Sequence, residues 1–104
     1  MPAPNAITPD KLARLVASPS APRIIDLRDR PTEAIPGSLF PVLLDPTQWG
    51  YASGSSAVLI DTDGSGLAVA AAAILRSEGV AAEVLDGGFA AWAASGLPTV
   101  SLVH

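Results

Sequence analysis

Val58-Leu59-Ile60-Asp61-Thr62-Asp63-Gly64-Ser65-Gly66-Leu67 runs straight into Ala68-Val69-Ala70-Ala71-Ala72-Ala73-Ile74-Leu75. The segment Ala57–Ile60 is short, apolar and branched, the pattern of a strand buried on both faces of a parallel sheet. From Gly66 to Ser77 the residues favour a helix, which stops near Gly79. The polar, glycine-containing stretch Asp61–Leu67 is therefore the connection between a central strand and a helix. Such a loop aims several backbone N–H groups inward, and with the positive end of the helix they form an anion site. Asp61 stands at that site with Asp63 close by. A carboxylate is a good acceptor for those N–H groups, worth roughly 1 kcal/mol as a cap. Two readings stay open for Asp61: it fills the anion site from within, or it is simply a residue that starts a helix.

The same alternation extends in both directions. Thr8-Pro9-Asp10 opens a helix, with threonine as cap, proline at the first helical position and an acid at the positive end of the dipole. Leu12, Leu15 and Val16 then share one face, and the Ser18–Pro22 stretch ends it. Arg23–Leu27 reads as a short buried strand. Asp29–Gly37 is polar and turn-rich. Leu39–Leu44 reads as a further strand, weakened by Pro41. Asp45–Ser56 is a loop carrying Trp49 and Tyr51, which either cover the core as a lid or mark a partner surface. Ala82–Leu85 is a strand, and Gly88–Ala94 a helix ended by Gly96. Strands alternating with helices imply a parallel sheet with helices on both faces.

Length and composition set bounds on function. The 104 residues suit one domain, residues 1–104, with a real core. Apolar residues reach 49%, but aromatics only 5%, so the core is expected to be tight and built of small side chains. No apolar run reaches membrane-spanning length; the longest, Ala68–Leu75, stops at Arg76. The start of the chain has no basic stretch and no apolar signal core, which points to a cytoplasmic location and no membrane. A net charge of −4 argues against nucleic acid and disfavours small anionic substrates. The chain has no cysteine, which excludes disulfides, thiolate metal sites and thiol catalysis.

Beyond the loop the chain continues Leu85-Asp86-Gly87-Gly88-Phe89-Ala90-Ala91-Trp92 and then Gly96-Leu97-Pro98. This ending resembles the signature L-x-G-G-x-x-x-W…G-x-P of the rhodanese-like domain. Ile25-Asp26-Leu27-Arg28 resembles that family's D-x-R segment. Ile35-Pro36-Gly37-Ser38-Leu39 resembles its G-H-I-P-G-A-I segment, with Glu33 and Ala34 where glycine and histidine stand and a shorter spacing from Asp26. The resemblance covers about residues 7–98. It implies a three-layer α/β sandwich with a central, mostly parallel sheet. It also implies an active-site loop of the form C-x-x-G-x-R-S, in which the anion site lowers a thiol pKa and holds a persulfide. The matching positions here are Asp61, Gly64, Gly66 and Leu67. The cysteine is an aspartate, the arginine a glycine and the serine a leucine.

Other chemistries fit less well. Leu59-Ile60-Asp61-Thr62-Asp63-Gly64 resembles the opening motif of haloacid-dehalogenase-like phosphatases, in which the first aspartate is the nucleophile and the second the acid. That motif normally opens a much larger domain. Its phosphate-binding lysine has no counterpart, since the only lysine is Lys11, and no acidic pair follows Asp63. A cysteine-dependent phosphatase needs a thiolate with an arginine six residues on; here those positions are Asp61 and Leu67. Ser65 has no histidine or lysine base, and the only histidine, His104, is the last residue. Asp26 and Arg28 fall at a strand end at the edge of the expected pocket, where an ion pair suits a structural role. Trp92 suits the core.

No catalytic residue, metal ligand or cofactor is therefore assigned. The expected function is a non-catalytic rhodanese-like binding or regulatory module, with a protein partner or a second copy of the chain. The alternative is an enzyme of the rhodanese-like or carboxylate-dependent hydrolase type using Asp61 and Asp63. By the resemblance, the loop at the family's active-site position is Asp61, Thr62, Asp63, Gly64, Ser65, Gly66 and Leu67.

Overall fold

The structure, a computed structural model, describes residues 5–64 and 66–102. Chain order is β1 (Ala6–Ile7), α1 (Pro9–Val16), β2 (Arg23–Asp26), β3 (Glu33–Ala34), β4 (Ser38–Leu39), a 3-10 turn (Pro46–Gln48), β5 (Ser56–Ile60), α2 (Leu67–Ser77), β6 (Ala81–Leu85), α3 (Gly88–Ala94) and β7 (Val100–Ser101). Five strands form a parallel sheet in the order β1-β6-β5-β2-β4. A separate antiparallel pair joins β3 to β7.

Strand β5 is central because it is the most apolar. Four of its five residues, Ala57 to Ile60, are buried, as a strand covered by helices on both faces requires. Its side chains alternate between two cores. Ala57 and Leu59, with Ile25, Ala82 and Val84 of the neighbouring strands and Leu27 just beyond β2, meet Ala68, Ala71, Ala72 and Leu75 of α2. Val58 and Ile60, with Ile7, Ile24 and Leu85, meet Leu12 of α1 and Trp92 of α3. Alanines let α2 lie close to the sheet. On the other face the gap is filled by Trp92, 1% exposed, whose indole Nε1–H donates to the Pro98 carbonyl at 2.9 Å. The three-layer sandwich expected from the sequence is the observed architecture.

Helix α1 starts as expected: the Thr8 hydroxyl accepts from the Lys11 N–H, and Pro9 takes the first turn. Several boundaries differ. The strand expected over Arg23–Leu27 ends at Asp26, although the Leu27 N–H still donates to the Ile60 carbonyl at 2.8 Å. The strand expected over Leu39–Leu44 is confined to Ser38–Leu39. It lies at the edge of the sheet with only β2 beside it, and Pro41 has no N–H to continue a ladder. The apolar residues beyond it leave the sheet as an exposed connection. Strands β1, β3 and β7 are two residues each and carry no periodicity that a sequence reading could detect.

One close approach holds the carboxyl edge of the sheet. Gly88, at the start of α3, lies against the Asp61 loop with φ of +64°. A Cβ there would fall 2.5 Å from the Asp63 nitrogen and 2.6 Å from the Gly64 nitrogen. Gly96 has a similar φ of +69° but open space around it. Gly96→Ala should cost about 1–2 kcal/mol from its left-handed backbone alone. Gly88→Ala adds overpacking against backbone and should cost about 2–5 kcal/mol. Urea denaturation of the two variants checks this; equal losses would mean that the approach of α3 to the loop is not a constraint.

Candidate functional site

Asp61 is the first residue beyond β5. In the sheet register Ile60 lies beside Asp26, so both acids reach the carboxyl edge of adjacent central strands. Asp61 is 7% exposed. Its Oδ1 accepts the Gly64 N–H at 2.6 Å, and its Oδ2 accepts the Ala68 N–H at 3.1 Å. Ala68 is the second residue of α2, whose first N–H groups have no partner within the helix. Gly66, the residue before the helix, has no side chain to cap it. Asp61 supplies that cap from seven residues upstream. One donor lies within the loop and the other just inside the helix, so a single carboxylate spans the turn. Hydrogen bonds of this charge-assisted kind are short and strong.

The loop is held from the other side by α3. The Asp61 carbonyl accepts the Phe89 N–H at 2.9 Å, and the Thr62 carbonyl accepts the Ala90 N–H at 3.0 Å. These donors are first-turn N–H groups of α3, again without partners in their own helix. Of the loop side chains, Thr62 and Asp63 are exposed and Leu67 is 55% exposed. Ser65 and His104 lie outside the described residues.

Asp26 and Arg28 form an ion pair beside this loop. The Asp26 side chain is fully buried and that of Arg28 is 14% exposed. Arg28 Nη2 lies 2.7 Å from Asp26 Oδ2, Nε lies 3.1 Å from Oδ1, and the Arg28 backbone N–H also reaches Oδ1 at 3.0 Å. Nη2 donates in addition to the Glu33 carbonyl at 2.7 Å. The guanidinium lies over the Phe89 ring, 3.9 Å from its centre. Arg28 thus ties the end of β2 to β3 and α3. With Nε and Nη2 bonded and its face on a ring, Arg28 braces these elements against one another. The stacking on Phe89 and the bond to Glu33 carried no sequence signal, because they depend on how β3 and α3 meet.

Trp49 and Tyr51 pack on the α2 side of the core, edge to face with ring centres 6.3 Å apart. The Trp49 Nε1–H donates to the Leu43 carbonyl at 2.7 Å, and the Arg23 guanidinium lies 4.8 Å from the Tyr51 ring centre. Of the two expectations for these rings, the lid is the one that matches their packing.

Cavities lie on either side of α2 among the described residues. One of about 80 Å³ is lined by Leu27, Leu44, Pro46, Leu67, Ala70, Ala71 and Ile74. The other, about 150 Å³, lies between Val69, Arg76, Val84, Asp86, Gly64 and the first described residues, Asn5 and Ala6. The Asp61 side chain opens into neither. Among the described residues no group of three or more histidine, cysteine, aspartate or glutamate side chains is placed to hold a metal ion. No helix of the described residues is long and apolar enough to cross a membrane.

The chain matches no family profile and no curated protein. Solved structures do match. A thiosulfate sulfurtransferase from Pseudomonas aeruginosa is 29% identical, with a TM-score of 0.73 over 96% of this chain; the chain spans 20% of that protein's length. A rhodanese-like domain protein from Staphylococcus aureus is 19% identical, with a TM-score of 0.71 over 85% of this chain and 90% of its own. A full-length protein from Lactobacillus plantarum is 20% identical, with a TM-score of 0.78 over 94% of this chain and 88% of its own. With its five parallel strands, its helices on both faces and these neighbours, the chain has the rhodanese-like fold.

Proposed function

We propose that this chain is a non-catalytic rhodanese-like module, acting by binding rather than by turnover. One observation carries the reading: both oxygens of the Asp61 carboxylate are taken up by the N–H groups of Gly64 and Ala68. These are donors of the kind that would otherwise hold an anion or a thiolate at the head of a helix. Sulfur transfer through a persulfide begins with a thiolate attacking a sulfane sulfur. The chain has no thiol, and a carboxylate oxygen does not carry a transferable sulfur at neutral pH. The internal carboxylate also competes with any external anion for the same donors. A hydrolase with Asp61 as nucleophile is disfavoured by the same geometry, since a 7% exposed carboxylate with both oxygens bonded has little access to substrate.

Three measurements test the proposal. Purified protein given thiosulfate and cyanide should release no thiocyanate above the buffer rate. Turnover that survives repurification and metal stripping would overturn the reading.

Asp61→Asn puts an amide N–H₂ against one of two backbone donors. It should lower stability by about 1–3 kcal/mol at pH 7. Asp86→Asn, at an exposed position, should stay within about 0.5 kcal/mol. An unchanged denaturation midpoint for Asp61→Asn would remove the carboxylate from its proposed role.

Asp61→Cys creates the only thiol in the chain, pointed at the same donors. Ultraviolet titration of its thiolate should give a pKa below the ordinary ~8.5. A value at or above that would show that the loop is no anion cradle.

A further inference from the structure

The larger cavity beside α2, about 150 Å³ in volume, lies where the sheet runs out from under the helix. Helix α2 packs its buried residues with Ala57 and Leu59 of β5 and Ala82 and Val84 of β6. Strand β1 is the sheet edge beyond β6 and is two residues long. Ile7 turns its side chain to the Trp92 core, so Ala6 before it faces the α2 layer. Ala6 and Val84 make an apolar floor to the cavity. Val69, seven residues before Arg76 and on the same flank of α2, makes a wall.

The short reach of β1 also places a cation here. The Val84 N–H donates to the Asn5 carbonyl at 2.8 Å, on the side of β6 that faces β1. Two residues back, the Ala82 carbonyl points the same way. Asn5, with φ of +61°, turns the chain out of the ladder before reaching it. The Arg76 side chain takes that place, Nη1 donating to the Ala82 carbonyl at 3.1 Å. This one bond anchors the guanidinium, and its remaining N–H groups have no partner among the described residues. Asp86 lines the same cavity from the far end of β6, and its carboxylate accepts no hydrogen bond among the described residues. No ion pair joins Arg76 to Asp86. Ala82 and Asp86 stand four residues apart on one strand, about 13 Å at ~3.3 Å per residue. Two opposite charges are thus held at the two ends of one recess, too far apart to satisfy each other.

Charge and length select the occupant. A plain anion would meet Asp86 and, at longer range, a chain of net charge −4. A plain cation would meet Arg76. A molecule of zero net charge, with an anion at one end and a cation at the other, meets neither penalty. An α-amino acid carries both charges on neighbouring carbons and does not span the recess. A linear ω-amino acid does, and its methylenes lie on the apolar floor. An engineered apolar cavity of ~150 Å³ takes benzene, the scale of a chain of roughly four to six carbons.

We propose that this cavity binds a small linear zwitterion of the ω-amino acid class. Its carboxylate sits on the free side of the Arg76 guanidinium, its ammonium on the Asp86 carboxylate, and its methylene chain over Ala6, Val69 and Val84. The site is separate from the Asp61 carboxylate but shares Gly64 with that loop. Its readout is binding at this flank, whereas the Asp61 reading is tested by turnover, so the two fail separately.

Amide nuclear magnetic resonance titration with γ-aminobutyrate, δ-aminovalerate and ε-aminocaproate tests the proposal. At least one should give saturable shifts at Ala6, Gly64, Val69 and Val84, with a Kd of about 1–10 mM. Valerate and pentylamine, each lacking one charge, and glycine, with its charges too close, should bind at least ~10-fold more weakly. Arg76→Gln and Asp86→Asn should each weaken the best zwitterion by at least ~10-fold. Asp29→Asn, exposed on the turn after β2, should leave it unchanged. Should Arg76→Gln disturb the fold, Asp86→Asn still decides, since that side chain is exposed and holds no hydrogen bond among the described residues. The absence of saturable shifts with all three zwitterions overturns the proposal. So does valerate binding as tightly as δ-aminovalerate, which makes the recess a plain anion site, or binding that Asp86→Asn leaves intact.

Discussion

Two helices point first-turn N–H groups at one short loop, where a single carboxylate and two adjacent carbonyls accept those of Ala68, Phe89 and Ala90. Asp61 Oδ1 and Oδ2 take the donors of Gly64 and Ala68, while the carbonyls of Asp61 and Thr62 take those of Phe89 and Ala90. Each of these groups sits at or near the carboxyl edge of the sheet, where a buried unpaired donor would cost about 1–3 kcal/mol. The placement of α2 over one face and α3 over the other therefore depends on the same short loop that follows β5. Gly88 allows the contact by having no side chain between its backbone and the loop. Arg28 secures it from the flank, pairing with buried Asp26 and lying on Phe89. A loop of this kind can serve as an anion receptor when its centre is vacant. With a carboxylate built into the centre, the same donors become part of the frame.

Much of this architecture was legible in the sequence because it rests on local rules. Thr8-Pro9-Asp10 carries a cap, a fixed φ and a favourable charge within three residues, and the helix begins there. Val58-Leu59-Ile60 is too uniformly apolar to face water on either side, and it is the central strand. Gly87-Gly88 before Phe89 and Trp92 marked both the turn and the helix that follows. The loop's inward N–H groups followed from its position between strand and helix; that a donor would also come from Ala68, the second residue of the helix, depends on how tightly the loop turns.

Hydrophobicity alone does not decide strand pairing. Residues 39–44 are apolar enough for a strand, but a strand needs a neighbour, and beyond Leu39 the edge has none to offer. The same residues instead form an exposed apolar connection. Strands β1, β3 and β7 were invisible for the opposite reason: two residues hold no period, and their pairing is dictated by elements far along the chain. The roles of Trp49 and Tyr51 stayed open at the sequence level, since an aromatic on a loop looks alike whether it covers a core or meets a partner. Only the packing of both rings against the α2 side of the core separates these cases.

The order of the sheet also governs how the chain can be assembled in time. Strand β5 pairs with β2, made before it, and with β6, made after it, while the first described strand, Ala6–Ile7, waits for Val84 and Leu85. Parallel pairing of this kind requires long loops to close before any contact compensates their lost entropy. On a ribosome the first segment emerges long before its partner does. Until residue 85 is available, the β6-facing edge of β5 has no strand beside it. An open strand edge invites stray pairing, so the chain is most exposed to it during synthesis, until β6 covers the edge of β5 and Ala6–Ile7 in turn covers the edge of β6.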